Sequence, residues 1–352
     1  MNYFNKKDLK VCTIKTNSTI KDVITSLNKS SMQIVLINSQ EGNLMGVITD
    51  GDVRRGLLRG LDLGSKIISL IKKNPTVVEK NTPQKTVEYL MKTKSLLHLP
   101  VVDKNYKVAG LYSWNDHKSN EKITNPVVIM AGGFGTRLRP YTNTCPKPML
   151  EIGGKPMLEH IINNLKSQGF RKIFISVNYL AENIISYFKT GKNLGVSIEY
   201  IEETKPLGTL GSLGNFKNKI KKPIVVVNGD TLTNINLKEM LNFHLRNKSH
   251  ATMAVKVMIN SNPYGVVKSK GLLVENFQEK PVDKIYINAG VYVISNSVTS
   301  LIKRNSKTDA PKFLMHLKKK KKKVIIFPAH EDWNEIGTIE NYHNITKKKI
   351  DE

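Results

Sequence analysis

Cysteine is almost absent from this sequence, which contains Cys12 and Cys145 among its 352 residues. Two cysteines so far apart form neither a disulfide framework nor a cluster of metal ligands, which excludes small disulfide-rich folds and zinc modules. Long apolar runs are also lacking, since none approaches the roughly 18 residues of a membrane helix. The N-terminal residues have no apolar segment of the kind that a signal peptide requires. We therefore expect a cytoplasmic protein that binds no membrane.

Acidic and aromatic residues are scarce as well. The 29 Asp and Glu residues face 55 Lys and Arg, giving a formal net charge of +26, and aromatic residues make up 7% of the chain. A nucleic-acid binder usually concentrates its cations on one face and interleaves aromatic residues for stacking. Here the cations are mostly lysines spread through both halves, with one run at 318–323. We therefore expect no nucleic-acid partner, and a positive field of this kind suits a small polyanionic substrate.

An internal repeat occupies the first part of the chain. In each copy a helical segment, 20–30 and then 83–93, precedes two short strands separated by a turn. Both copies end in Gly-x-x-Ser/Thr-x-x-Asp, which places Thr49 with Asp52 and Ser113 with Asp116. An Asp at the start of a helix caps backbone N–H groups, and a hydroxyl there can hold a phosphate.

The repeat resembles a tandem pair of CBS domains, together a Bateman module, over residues 1–118. In that family the motif's Asp binds a ribose and its Ser or Thr binds a phosphate, which implies an adenine nucleotide at Thr49, Asp52, Ser113 and Asp116. The alternative is that these side chains only cap helices and that the module pairs chains. Either way, we expect a homo-oligomer.

A polar segment, 119–125, carries no periodic apolar pattern and is predicted to be a linker. The apolar run 126–131 that follows is typical of a buried parallel strand, and it leads into Gly132-Gly-Phe-Gly-Thr-Arg-Leu138. Glycines after a first strand let the backbone approach a phosphate, although the third glycine of a dinucleotide-binding loop is missing. Strands and helices then alternate, which predicts an α/β fold with a mostly parallel sheet and a ligand at the carboxyl ends of its strands.

Several further motifs follow in order through the second part. They are Cys145-Pro-Lys-Pro148, Glu202-Glu203, Pro206-Leu-Gly-Thr209, Asn228-Gly-Asp230, Tyr264-Gly265, Glu279-Lys-Pro281, Asn288-Ala-Gly290 and Trp333-Asn-Glu-Ile-Gly-Thr338. Together with the glycine-rich loop they resemble the sugar-nucleotide pyrophosphorylases, which are sugar-1-phosphate nucleotidyltransferases. The resemblance implies a Rossmann-like, GT-A-like domain over residues 126–352.

The resemblance also implies a role for each matching residue. Arg137, Lys147 and Asp230 would be catalytic. The nucleotide would be bound by Gly132, Gly133, Gly135, Thr136, Glu203 and Gly208. The sugar phosphate would be bound by Gly265, Glu279, Lys280 and Asn288. Mg²⁺ would be held by Asp230 and Glu335; because the family usually has Asp at the latter position, Asp332 is an alternative ligand.

The implied reaction joins a nucleoside triphosphate to a sugar 1-phosphate and releases pyrophosphate. The Glu-Glu-x-x-Pro-Leu-Gly-Thr loop looks more like that of the mannose-1-phosphate guanylyltransferases than that of the thymidylyl- or uridylyltransferases. Its combination with a CBS pair resembles the glucosamine-1-phosphate guanylyltransferases of bacterial legionaminic-acid biosynthesis. The expected substrates are therefore GTP and glucosamine 1-phosphate, for surface or flagellar glycans. Two alternatives are a mannose-1-phosphate guanylyltransferase and a catalytically degenerate, CBS-type nucleotide-sensing protein.

Overall fold

The computed structural model describes residues 1–30, 32–114, 123–216 and 220–350. The chain folds as two compact units, Met1–Asn120 and Glu121–Glu352. Within the described ranges, no helix combines the length and the apolar character needed to cross a bilayer. The predicted linker, 119–125, lies partly outside the described residues, so the finer domain boundaries stay predictions.

The first unit consists of two small sheets with their helices. Its strands are β1 (Asn2–Asn5), β2 (Thr13–Lys15), β3 (Ile34–Asn38), β4 (Leu44–Thr49), β5 (Lys72–Lys73), β6 (Val78–Glu79), β7 (His98–Val102) and β8 (Val108–Ser113). Its helices are α1 (Ile20–Ser30), α2 (Asp50–Leu58) and α3 (Gln84–Thr93). The sheets have the strand orders β2-β3-β4-β5 and β1-β8-β7-β6. Each predicted repeat thus supplies most of one sheet, whereas β1 pairs with the second repeat.

The two sheets of this unit share a core. Leu36 and Val47 of the first sheet pack in one buried cluster with Val102 and Leu111 of the second. A backbone hydrogen bond of 2.9 Å from Leu44 N to Tyr106 O also joins the two repeats. The repeats therefore form one body, as a tandem pair must do when each half alone leaves an apolar face uncovered.

The second unit is larger and centres on one sheet. Its strands are β9 (Val127–Met130), β10 (Glu151–Ile152), β11 (Lys155–Pro156), β12 (Lys172–Val177), β13 (Ser197–Glu202), β14 (Ile224–Asn228), β15 (Thr231–Thr233), β16 (Ala251–Ser261), β17 (Val266–Lys270), β18 (Leu273–Gln278), β19 (Val282–Ile294), β20 (Val324–Ala329) and β21 (Trp333–Glu335). Its helices are α4 (Met157–Ser167), α5 (Ala181–Phe188), α6 (Gly208–Gly211), α7 (Leu237–Arg246), α8 (Asn296–Thr299), α9 (Ala310–Lys319) and α10 (Ile339–Ile350).

Seven strands form the central sheet, in the order β13-β12-β9-β14-β19-β16-β20. The first four run parallel, β19 is antiparallel to both β14 and β16, and β20 is parallel to β16. This mixed, mostly parallel α/β sheet preceded by a repeated α/β unit confirms the predicted fold class. Parallel strands covered on both faces read as continuous apolar runs, which is why 126–131 was recognisable in the sequence.

Apolar clusters cover both faces of the sheet. Ile129 and Val227 point into one cluster with Ile162 of α4, while Val128 and Val226 point into the other with Phe313 of α9. Alternate residues of a strand face opposite sides, so β9 and β14 each contribute to both cores. The carboxyl ends of these strands are fixed by packing from two directions.

Three smaller strand pairs lie outside the central sheet, β10–β11, β15–β21 and β17–β18. β15 directly follows β14 in the chain and pairs antiparallel with β21, with Thr231 opposite Glu335. The β17–β18 hairpin is inserted between β16 and β19, and Val267 lies opposite Phe277 in it.

The buried side chain of His244 makes the stability of the second unit depend on pH. Its ring nitrogens lie 2.8 Å from Thr252 Oγ1 and 2.8 Å from Ser295 Oγ, and burial, with a smaller effect of His250, lowers its pKa to about 4. The unfolded chain protonates this histidine near its usual pKa of about 6.5. Because the folded protein binds this proton less readily than the unfolded chain does, the neutral His244 contributes its full stabilisation of the folded state above pH 6.5. This contribution is lost as the pH falls toward 4.

We expect the free energy of unfolding to fall by on the order of 1–3 kcal/mol across that window, measured by urea denaturation at successive pH values. The variant His244→Gln, which cannot titrate there, should give a flatter profile. Equal pH dependence in the two proteins would contradict this role for His244.

A second prediction concerns the contact between the ends of β9 and β14. A Cβ atom on Gly229 would lie 2.6 Å from the carbonyl oxygen of Met130, which is backbone and cannot swing away. Gly229→Ala should therefore destabilise the unit by about 1–3 kcal/mol. A Cβ on Gly133 would meet nothing within 4 Å, so Gly133→Ala should leave the melting temperature unchanged. A Gly229→Ala protein that melts like the wild type would overturn this assignment.

Candidate functional site

The site lies where the parallel strands of the second unit end. Backbone hydrogen bonds continue past the strands themselves, from Ala131 N to Ser176 O (2.8 Å), from Gly229 N to Met130 O (2.9 Å) and from Glu203 N to Val177 O (2.8 Å). The carboxyl ends of β9, β12, β13 and β14 are thus held side by side. This is the edge at which open α/β sheets bind ligands.

The glycine-rich loop after β9 is closed by its own backbone and by one buried threonine. Gly135 has a φ of 63°, a left-handed conformation that glycine adopts without a steric penalty, and it precedes the short helix Thr136–Leu138. Thr142 Oγ1 donates to Gly135 O at 2.9 Å, and a Cβ on Gly135 would lie 3.0 Å from Thr142 Cγ2. Gly135 therefore shapes the loop, whereas the space around Gly133 is open.

A cavity of about 240 Å³ opens beside this loop. It is bounded by the ends of β9 and β14, by the segment that contains Lys147 and by the loop after Glu203. Its lining residues are Met130, Ala131, Gly132, Gly133, Lys147, Pro148, Glu203, Pro206, Leu207, Gly208, Thr209, Asn228, Gly229 and Asp230. Four segments that are far apart in sequence, 130–133, 147–148, 203–209 and 228–230, thus meet around one cavity.

Lys147 and Asp230 form an ion pair at this cavity, with Lys147 Nζ 2.6 Å from Asp230 Oδ2. Lys147 lies in the short helix Lys147–Met149, after Pro146 and before Pro148, and its side chain is 11% exposed. The two prolines limit the backbone freedom of this segment. Two residues predicted to be catalytic, 83 positions apart, are therefore in direct contact.

Glu335 lies beside Asp230 because β21 pairs with β15. Ile336 N donates to Asp230 O at 3.0 Å, and Thr231 is the cross-strand partner of Glu335. Asp332, the alternative ligand, lies beyond the other end of that pair and lines a separate cavity that includes His160 and Asn164. The geometry therefore favours Glu335 over Asp332 as the partner of Asp230.

The donor set at Asp230 and Glu335 is compatible with Mg²⁺, which prefers hard carboxylate oxygens. Among the described residues, no group of three or more histidine, cysteine, aspartate or glutamate side chains could hold a metal ion. Two carboxylates leave several positions to water or phosphate oxygens, an arrangement typical of Mg²⁺ bound together with a phosphate substrate.

Arg137 reaches the same edge from the glycine-rich loop. The position that a Cβ on Gly337 would occupy lies 3.5 Å from Arg137 Nη1 and 3.5 Å from Glu335 Oε1. The exposed guanidinium and the exposed carboxylate thus both lie within van der Waals distance of the space beside Gly337. Arg137 is close to Glu335 yet open to solvent, as a group that contacts a bound polyphosphate would need to be.

Glu203 is a buried residue of the cavity wall. Its carboxylate is buried at the cavity wall, where it accepts hydrogen bonds from Ser176 Oγ (2.6 Å) and from Leu207 N (2.9 Å). The first contact joins it to β12 and the second to the loop that it precedes. Glu203 therefore positions the segment that leads to Gly208, which is predicted to bind the nucleotide, and each carboxylate oxygen keeps a further lone pair for a ligand.

The loop that contains Gly208 is braced from behind by the segment before α9. Thr308 N donates to Leu207 O at 2.8 Å, and Leu210 N donates to Thr308 O at 2.9 Å. Gly208 has a φ of 71°, and a Cβ there would lie 2.5 Å from Asp309 Oδ1. No other residue fits this position without displacing the brace.

The predicted sugar-phosphate residues are not among the residues lining this cavity. Gly265, Glu279 and Lys280 are exposed at the base of the β17–β18 hairpin, where a Cβ on Gly265 would lie 3.0 Å from Glu279 Oε2. Asn288 lies on β19 and donates from Nδ2 to the Tyr292 hydroxyl at 2.6 Å. Gly265 and Glu279 are thus neighbours at the hairpin, whereas Asn288 lies on the central sheet, and their role as a sugar site stays a prediction.

Some residues that support the site were not indicated by the sequence motifs. Thr142 holds the glycine-rich loop, Ser176 holds Glu203, and Asn178 Nδ2 donates to Glu203 O. Burial, with smaller effects of Asp230 and Glu335, raises the pKa of Tyr292, which keeps its hydroxyl neutral beside Asn288. Ser176 lies in β12 and Asn178 follows its end, so polar residues near a strand's carboxyl end were the available signal.

In the first unit, Thr49 and Asp52 form the capping box of α2. Thr49 N donates to Asp52 Oδ2 at 2.9 Å, Asp52 N donates to Thr49 Oγ1 at 3.3 Å, and Arg55 pairs with the other carboxylate oxygen. These contacts show that this motif caps α2, and its part in binding a nucleotide stays a prediction. In the second repeat Ser113 is buried at the end of β8, while Asp116 lies outside the described residues.

Both units of the chain match known protein families. The profile of the nucleotidyl transferase family matches residues 126–352, and the CBS domain profile matches residues 7–59 and 67–116. The chain is 36% identical over 220 residues to mannose-1-phosphate guanyltransferase from Pichia angusta, covering 60% of each protein. It is 38% identical over 187 residues to mannose-1-phosphate guanylyltransferase 1 from Arabidopsis thaliana, covering 50% of this chain and 51% of that protein.

A solved structure is similar as well. HddC from Yersinia pseudotuberculosis, complexed with GMP-PN, aligns with 64% of this chain and 99% of its own, with a TM-score of 0.50 and 27% identity. The chain spans about half to three fifths of the length of the two curated relatives above. Because the transferase profile covers more than half of the sequence, the chain belongs to the nucleotidyl transferase family and carries two CBS domains ahead of its transferase domain.

Proposed function

We propose that this protein transfers a guanylyl group from GTP to a sugar 1-phosphate. A phosphate oxygen of the sugar phosphate attacks the α-phosphorus of the triphosphate. A new P–O bond forms, the bond between the α-phosphorus and the bridging oxygen breaks, and pyrophosphate leaves. The product is a nucleoside diphosphate sugar, an activated donor for surface or flagellar glycans.

The observation that carries this proposal is the ion pair of Lys147 and Asp230 at the cavity beside the glycine-rich loop. Phosphoryl and nucleotidyl transfer need positioning and charge neutralisation more than a covalent intermediate. A cation and a carboxylate at the open ends of parallel strands, next to a loop that approaches a phosphate closely, meet those needs.

Each charged residue has a distinct part in this reaction. Arg137, exposed beside Glu335, stabilises the negative charge that builds on the departing pyrophosphate. Lys147 orients the α-phosphate, and Lys280 clamps the incoming sugar phosphate. Asp230 and Glu335 would hold Mg²⁺, which when bound neutralises phosphate charge and favours in-line geometry.

Guanine is the base that the cavity wall favours. Guanine offers adjacent N–H donors, from N1 and the exocyclic amine, and a carboxylate oxygen pair accepts both. The Glu203 carboxylate lies at the wall of the cavity with lone pairs left after its bonds to Ser176 and Leu207. The names of the curated relatives and the GMP-PN complex of HddC support the same base.

For the sugar, we propose glucosamine 1-phosphate. Glu279 lies next to Gly265 on the hairpin, and a carboxylate there pairs with the 2-ammonium group of an amino sugar. The same carboxylate also accepts hydrogen bonds from neutral hydroxyls, and the relatives above are named for mannose 1-phosphate. Mannose 1-phosphate is therefore the competing substrate.

Replacement of Arg137 tests the charge-stabilising role. Arg137→Ala should lower kcat by about 10²–10³-fold, the usual effect of losing one donor to a developing charge, while the melting temperature stays unchanged because the side chain is exposed. Arg139→Ala, which removes an exposed arginine from the same loop, is the matched control and should retain activity. An Arg137→Ala enzyme as active as the wild type would exclude the proposed role.

A substrate matrix tests the reaction and its specificity. Four nucleoside triphosphates are combined with glucosamine, mannose and glucose 1-phosphates in the presence of Mg²⁺, and pyrophosphate release is measured. We expect turnover with GTP and glucosamine 1-phosphate to exceed every other pair. Faster turnover with mannose 1-phosphate would refute the amino-sugar assignment, and no turnover with any pair would refute the enzyme proposal.

A further inference from the structure

Lys256 is half-buried in a chain whose lysines are mostly exposed. It lies on β16, and its ammonium group donates to Glu331 O at 2.7 Å and to His330 O at 3.3 Å. Burial lowers the pKa of this ammonium group, while Glu331 and Asp332 act in the opposite direction. Removing a cation from water costs free energy unless its hydrogen bonds are replaced, so the two carbonyl contacts hold the charged group in this place.

The two carbonyls belong to the connector between β20 and β21, residues 330–332. β20 is the last strand of the central sheet and pairs with β16, and their register ends with Lys256 opposite Ala329. The chain then leaves the sheet, and β21 begins at Trp333 after three residues. Lys256 therefore holds the chain at the point where it passes from the central sheet to the strand that contains Glu335.

The rest of the connector is held by the end of β15 and the segment that follows it. Asp332 O accepts hydrogen bonds from Asn234 N and from Thr233 Oγ1, both at 3.0 Å. The buried Glu331 carboxylate accepts a hydrogen bond from Asn236 N at 3.1 Å. These contacts join the connector to β15, whereas the ammonium group on β16 joins it to the central sheet.

The β15–β21 pair depends on such support because it is short. Each strand has three residues, and among the described residues the two strands form a sheet of their own. An isolated two-stranded pair is marginally stable in water. Its register places Glu335 opposite Thr231, which follows Asp230, and a shift by one residue would turn the Glu335 side chain to the other face.

We infer that Lys256 is a positioning residue, which holds the connector 330–332 in place and thereby fixes Glu335 beside Asp230. Lys256 is not among the residues that line the cavity beside the glycine-rich loop, so it acts through Glu335 and not on the substrates. If the proposed function holds, on which this consequence rests, loss of its two hydrogen bonds weakens the binding of Mg²⁺ by Asp230 and Glu335. Removal of a group that supports a metal ligand commonly lowers metal affinity about 10–100-fold.

The experiment follows the fluorescence of Trp333, two residues before Glu335. The Trp333 ring donates from Nε1 to Ala289 O at 2.9 Å and packs against the core. The chain has one other tryptophan, Trp114 of the first unit, so Trp114→Phe in the full-length protein leaves Trp333 as the single emitter. Lys256→Met removes the donors while preserving an unbranched side chain. Because the ring then becomes more exposed to water, its emission should shift to longer wavelength and quenching by acrylamide should increase.

The matched control is Ile184→Val in the same background. Ile184 is fully buried on α5, which packs against β13 at the opposite edge of the sheet from β20. This change lowers stability without touching the connector, and melting temperatures verify that the variants are folded. If Lys256→Met does not fold, Lys256→Gln takes its place, because its side chain is polar but too short to reach both carbonyls.

We expect the Lys256 variant to shift the Trp333 emission and to raise the Mg²⁺ concentration for half-maximal turnover about 10-fold, while Ile184→Val changes neither. Unshifted emission in the Lys256 variant, or an equal shift in the control, would overturn the inference. A shifted emission with an unchanged Mg²⁺ requirement would also overturn it, because the connector would then not act through Glu335. The fluorescence result stands even if no substrate pair turns over, so the two proposals fail separately.

Discussion

The contact between the ends of β9 and β14 fixes the position of the charged groups in this site. Gly229 donates to Met130 O, and the missing side chain at Gly229 allows the two strands to stay in register through their last residues. Asp230 follows directly, so its carboxylate is delivered to the glycine-rich loop, where Lys147 meets it. Because apolar cores cover both faces of the sheet, this edge is rigid, and rigid placement is what transfer of a charged group requires.

Local pattern was enough to predict many of the elements. The helix predicted at 20–30 is α1 (Ile20–Ser30), and the buried strand predicted at 126–131 contains β9 (Val127–Met130). In both cases the signal is short-range, either amphipathic periodicity or a continuous apolar run. The sheet class followed from the alternation of such signals, and the ends of its strands then indicated where Asp230 and the glycine-rich loop would meet.

What the sequence could not show depends on contacts between distant segments. Glu203 was predicted to bind the nucleotide. Its hydrogen bonds with Ser176 and Leu207 make it a positioning residue as well, and these bonds form only when β12 and the loop after Glu203 pack together. A bulge between Lys268 and Ser269 interrupts the register of β17 against β18. The sequence of these two strands therefore lacks the regular alternation of apolar and polar residues that would predict them. The choice between Asp332 and Glu335 likewise depended on the register of β21 against β15.

Pairing of β1 with β8 has a consequence for synthesis in the cell. Residues Asn2–Asn5 form one edge of the sheet whose other strands come from the second repeat, so β1 is complete long before its partner exists. At about 5–20 residues per second, the wait is on the order of 10 s. During this time the first repeat has already emerged, but Val102, Val108 and Leu111, which cover one face of its sheet in the folded protein, have not yet been synthesised. Such long-range pairing slows folding, and the nascent chain is exposed to chaperones or to aggregation until the second repeat arrives.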